Sequence, residues 1–203
     1  MASYTAIAAV SQALLDLLRD RFAARDELFS MDENAVSLVA PDAVGDDSET
    51  RLSVSLYRLE ENASMKNAEP KPTADPTVSH DPPLALDLYY LVTAYPDGRS
   101  TDTTAATVDQ QRVLGAAMQT FHDNAVLDAD QLHGSLEADV DLQISLVNQS
   151  VEELTALWTT VSSSSLQPSA VYHVGPVLID SQSQAEVTPI TERQTSVDRT
   201  PDR

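Results

Sequence analysis

The stretch Pro83-Leu84-Ala85-Leu86-Asp87-Leu88-Tyr89-Tyr90-Leu91-Val92-Thr93-Ala94-Tyr95 decides how the chain is read. In an extended strand, successive side chains point to opposite faces. Leu84, Leu86, Leu88, Tyr90 and Val92 therefore share one face, and Asp87, Tyr89, Leu91 and Thr93 share the other. The first face is made for a core. The second is only partly polar, which predicts contact with a further element or with another subunit. Pro96-Asp97-Gly98 then turns the chain.

Upstream, Arg51 to Leu59 alternates in the same way, with Leu52, Val54 and Leu56 against Ser53 and Ser55. The two strands are predicted to pair antiparallel. Ala35 to Val39 reads as a short strand, and Pro41 to Glu49 as an acidic loop. Downstream, Val140, Leu142, Ile144 and Leu146 alternate with Asp139, Asp141, Gln143 and Ser145. A last strand spans Ser169 to Asp180, where Gly175-Pro176 predicts a bulge or an edge position.

Three segments carry helical periodicity instead. From Tyr4 to Phe22, an apolar stripe runs through Ile7, Val10, Leu14, Leu17, Leu18 and Phe22. From Thr104 to Phe121 the stripe is read through Val108, Gln111, Leu114, Met118 and Phe121. Ser150-Val151-Glu152-Glu153 is a capping box opening a short helix with Leu154, Leu157, Trp158 and Val161 on its apolar side. The order of elements predicts one α+β domain over residues 1–180, with a small mixed or antiparallel sheet of about four to five strands and about three packed helices. Within it, the loop 60–83 carries Pro70, Pro72, Pro76, Pro82 and Pro83, and an extended arm is expected there. Residues 181–203 form a polar tail that needs a neighbouring subunit to order it.

Charge limits the possible partners. The 203 residues include 32 Asp plus Glu against 12 Lys plus Arg, a formal net charge of -20. Such a surface repels phosphate backbones and anionic membranes alike. Aromatic residues make up only 5%, so stacking platforms for bases are scarce. Lysine occurs only at Lys66 and Lys71. Acid excess with lysine depletion fits a protein working in concentrated salt, where the Debye length falls to about 3 Å and carboxylate repulsion is screened. The sequence lacks cysteine, which removes disulfides and thiolate chemistry. The opening residues do not read as a secretory signal, and no run approaches the ~18 apolar residues of a membrane span.

Catalytic patterns are not found. His80, His122, His133 and His173 have no metal-ligand spacing, and His122-Asp123 are neighbours that point apart on a helix. Asp123, Asp128 and Asp130 do not follow the spacing of a calcium loop. There is no G-x-S-x-G elbow and no glycine-rich phosphate loop. No catalytic residue, metal site or cofactor is therefore assigned, and His173 is read as an interface or core histidine.

Five blocks in order carry a family likeness: Tyr4 to Arg19; Leu52 to Asn62 running on to Lys66-Asn67; Pro83 to Tyr95; Gln111 to Asn124; and Ser150 to Trp158 with Val171 to Asp180. Together they resemble the cap, or tail-terminator, proteins of extracellular contractile injection systems. The segments Ala68 to Asp81 and Ala125 to Ala138 depart from the pattern. The resemblance implies a non-enzymatic, homo-hexameric ring that closes the inner tube and anchors the sheath. Its partners would be its own copies, the tube protein and the sheath protein, with no nucleic acid and no membrane. It would assemble in the cytoplasm of a high-salt host and leave as part of a particle. Contacts are expected from Arg58, Met65, Lys66 and Asn67, and from Pro189, Ile190, Thr191, Glu192 and Arg193 lying extended on a neighbour. A terminator joining the tail of a contractile-tailed archaeal virus to its head, or a stand-alone binding module, are the other readings.

Overall fold

The computed structural model describes residues 4–29, 31–45, 48–66, 71–72, 78–127, 141–161 and 165–186. The alternating segment after Pro83 forms β5, Leu84–Ala94, and it lies inside a six-stranded sheet. The other strands are β1 (Val36–Ser37), β2 (Leu52–Glu61), β6 (Val126–Leu127), β7 (Leu142–Val147) and β8 (Ser169–Ile179), in the order β1-β2-β5-β8-β7-β6. Only β1 runs parallel to its neighbour; the other pairs are antiparallel, including the expected pair β2–β5. The sheet thus exceeds the four to five strands expected: β1 falls within the short strand read at Ala35 to Val39, whereas the two-residue edge strand β6 is too short to show periodicity. A second sheet joins β3 (Lys71–Pro72), β4 (Val78–His80) and β9 (Gln184–Glu186) in the order β3-β4-β9. It ties the Pro-rich loop to the first residues beyond β8.

Four α-helices occur among the described residues: α1 (Ala6–Ala23), the single turn α2 (Asp26–Phe29), α3 (Thr103–Asp123) and α4 (Val151–Thr160). Helices α1 and α3 pack on each other and on one face of the sheet. Val10, Leu14, Leu18 and Phe22 of α1 meet Val113, Ala117 and Phe121 of α3 and the strand residues Leu52, Val54, Leu88, Tyr90, Val92, Tyr172 and Val174 in one core. Two hydroxyls are tied into it, Ser11 Oγ and Tyr90 Oη at 2.8 Å, and Phe121 packs edge-on against the Tyr172 ring at 4.9 Å. Full burial of each large apolar side chain contributes roughly 1.5–3 kcal/mol.

The α3 stripe differs from the expected one. Ala106, Gln110, Val113, Ala116, Ala117, Thr120 and Phe121 are buried, while Val108 and Gln111 are exposed. Small alanines let the helix approach closely, and Gln110 is kept inside because its Nε2 donates to Ala94 C=O and Gln167 Oε1, each at 2.7 Å. Of the expected α4 stripe only Trp158 is buried. Gly175 does mark a shift in the β5–β8 register, but β8 lies between β5 and β7 and is not an edge strand.

Candidate interaction face

The face of the sheet opposite α1 and α3 is closed at one end and open at the other. At the closed end, Ser53, Thr93, Leu91 and Val171 are buried, and Ser53 Oγ lies 3.2 Å from Tyr95 Oη. The mixed face of β5 is therefore covered within the chain at this end. Towards the other end, β2 becomes steadily more exposed, and the Arg58 and Glu60 side chains retain 50% and 44% of their surface.

The open end is organised by a slip in strand pairing. Leu56 faces Tyr90, but the next pair is Arg58 with Tyr89, so Tyr57 is the extra residue of a bulge. The bulge brings Arg58 onto the face of Tyr89, with its guanidinium carbon 4.8 Å from the ring centroid. Arg58 also pairs with Glu60, which holds the guanidinium further towards its charged form. Burial raises the pKa of Tyr89, and a nearby Glu60 adds to it. The displaced Tyr57 hydroxyl accepts from Gln149 Nε2 at 2.9 Å, just ahead of α4. Burial raises the Tyr57 pKa despite that bond.

A second chain of contacts runs across four segments. His173 stacks obliquely on Tyr89 at 5.3 Å and pairs with Asp87 Oδ1 through Nε2 at 2.9 Å. Its Nδ1 lies 3.3 Å from Ser145 Oγ. Asn62 donates to both Asp87 oxygens at 3.0 and 3.1 Å, and its own Oδ1 accepts from the backbone of Ser64 and Met65. The turn carrying Met65 and Lys66 is thereby fastened to β5, and Lys66 Nζ reaches Glu61 at 3.0 Å. Arg58, Met65 and Lys66, expected as contact residues, thus sit on one continuous piece of surface with Glu60, Tyr89 and His173. Asn67 and Pro189 to Arg193 lie outside the described residues, as do His133, Asp128, Asp130 and Val140.

Ser145, His173 and Asp87 follow the sequence of groups found in nucleophilic hydrolases. The strand geometry argues against that chemistry. A strand's N–H groups lie in the plane of the sheet while its side chains stand perpendicular to it, so Ser145 Oγ cannot share a carbonyl with oxyanion donors. Hydrolases solve this with a sharp nucleophile turn, which β7 does not have here. The three residues act instead as a polar tie across β5, β8 and β7. No motif in the sequence signals it, because the members are far apart and meet only through strand register. Gly175 was the available clue: a Cβ there would stand 2.6 Å from Asp87 Oδ1.

His122 does not join this tie. It is exposed at the end of α3, while the adjacent Asp123 turns to Arg21 at 3.6 Å, as neighbours on a helix should. His122 lines a groove of about 550 Å³ with Met118, Phe121, Ala125, Leu146 and Tyr172. Leu146, expected on the core face of β7, is 49% exposed at its rim. Among the described residues no group of three or more His, Asp or Glu could hold a metal, and no helix is long and apolar enough to cross a membrane.

No curated protein matches the sequence. Solved structures similar in fold include two terminal caps. The PVC sheath/tube terminator of an extracellular contractile injection system, in its extended state, aligns with 99% of this chain at a TM-score of 0.61 and 18% identity. The tube-terminating cap of the anti-feeding prophage aligns with 93% at a TM-score of 0.58 and 17% identity. The alignments span 66% and 60% of those proteins' own lengths. The family described as the Pvc16 N-terminal domain matches residues 9–193, nearly the entire sequence including every strand of the main sheet, and the chain belongs to that family.

Proposed function

We propose that this protein is a structural terminator of a contractile injection particle: a ring, six copies around, that closes the inner tube and holds the end of the sheath. The observation that carries this reading is the fold likeness to a sheath/tube terminator over 99% of the chain. The open face supports it. Arg58, Tyr89 and the tied turn at Met65 and Lys66 offer a preformed surface of mixed polarity, suited to contact with another protein. Catalysis has no part in this role. Copies assemble in the cytoplasm and leave with the particle. The formal charge of -20 suits a salt-rich host, where ring contacts must be apolar or hydrogen-bonded.

The direct test is polymerisation in vitro. Purified protein added to growing tubes of the cognate tube protein should halt elongation at substoichiometric amounts, with density at one tube end in electron micrographs. Tubes that elongate at the same rate and stay bare would refute the reading.

A further inference from the structure

Among the described residues, only half of the outer edge of β7 is paired. Strand β6 covers Leu142 and Gln143, and Ile144 N–H donates to Ala125 C=O at 2.8 Å. Alternate residues of a strand direct their backbone groups to the same side, so the N–H and C=O of Leu146 point outward too. No described strand pairs with them there. The apolar groove between β7 and the end of α3 lies directly alongside. A free edge next to a pocket for one side chain is the geometry of strand addition, where backbone bonds give affinity and the pocket gives specificity.

We infer that the edge of β7 receives the C-terminal segment of a second copy of this chain, with Ile190 seated in the groove. This rests on the ring reading above and adds the place where one copy holds the next. Three observations favour that occupant. Residues 187–203 carry three arginines and three acidic residues, so this stretch is formally neutral on a chain of net charge -20. The stretch Ile190 to Val197 is free of proline and glycine and contains Thr191, Thr195 and Val197, all suited to an extended strand. Among the described residues no carboxylate lines the groove. The donor is a second copy because β9 leaves from the far end of β8. Leu146 lies opposite Tyr172, whereas β8 ends at Ile179, so a chain's own tail must first run back roughly 23 Å at ~3.3 Å per residue. Passing the tail to the next copy gives a head-to-tail contact of the kind that closes rings.

The absence of cysteine makes the test clean. One full-length chain carries Leu146→Cys, and a second, of different tag length, carries Ile190→Cys. Mixed and mildly oxidised, they should give the disulfide-linked heterodimer as the main product. A control chain with Val151→Cys, at a position 77% exposed, should link at least tenfold less. Equal linking to the control, or no linking, would overturn the inference. So would a Leu146→Cys/Ile190→Cys double variant that closes only within one chain. Each chain is also assayed for halting tube growth. Chains that halt growth without linking defeat this inference alone, whereas chains that link without halting growth defeat the terminator reading.

Discussion

Gly175 stands where the Asp87 carboxylate and the backbone of Leu86 leave no room for a Cβ. Gly175→Ala should therefore displace Asp87 from His173 and cost about 1–3 kcal/mol, measured as a lower urea midpoint with an unchanged slope. Arg51 makes a comparable anchor on the other side of the molecule. Its side chain is 12% exposed and joins Asp109, Asp97 and the Tyr95 carbonyl. Arg51→Met should cost about 2 kcal/mol, since it removes the charged hydrogen bonds of a largely buried guanidinium to Asp109 and the Tyr95 carbonyl. Two buried tyrosines set an alkaline limit. Burial pushes the Tyr90 and Tyr172 hydroxyls up to about 12 from 10.0. A raised folded-state pKa contributes stability that is complete below the unfolded value, so stability should hold below pH 10 and fall between about 10 and 12. Tyr90→Phe should make that fall shallower in a pH titration of unfolding, while losing the Ser11 bond. Such residue-scale ties were not legible in the sequence. Alternation placed Asp87 and Tyr89 together on β5, but only strand register brings His173, Ser145 and Arg58 to them.

The elements were easier to read than the contacts between them. The capping box at Ser150 is formed as its spacing demands: Ser150 Oγ accepts from Glu153 N–H, and Glu153 returns to Ser150 N–H at 2.8 Å. The Ser150 N–H and hydroxyl, both donating to it, hold the Glu153 carboxyl below its ordinary pKa. Since Trp158 alone buries α4, its cap should matter more than usual, and Ser150→Ala should cost about 1 kcal/mol, read as faster amide exchange confined to α4. Long strands declared themselves because both faces of β5 alternate. Leu114, Met118 and Phe121 of the expected α3 stripe pack on the core, but Val108 and Gln111 do not, because alanine at Ala106, Ala116 and Ala117 gives little hydrophobic contrast and a buried Gln110 imitates a surface residue. Strand β6 has two residues, too few to carry a period, which is why the sheet holds one strand more than the sequence reading of four to five.

On the scale of the whole molecule, the sequence carried the α+β class and the family likeness through ordered blocks, while the open face and the β7 groove had to be seen. The net charge of -20 sets a clear expectation for solution behaviour. Raising salt from about 0.1 M to above 1 M shortens the Debye length from about 10 to 3 Å, so the thermal midpoint should rise steadily over that range. The central claim is termination, and its most direct measurement is particle length. In the native host, deletion of this gene should yield overlong, ragged or sheathless tubes, and restoring the gene should return one narrow length distribution. Particles of normal length with intact, closed ends after deletion would contradict the account.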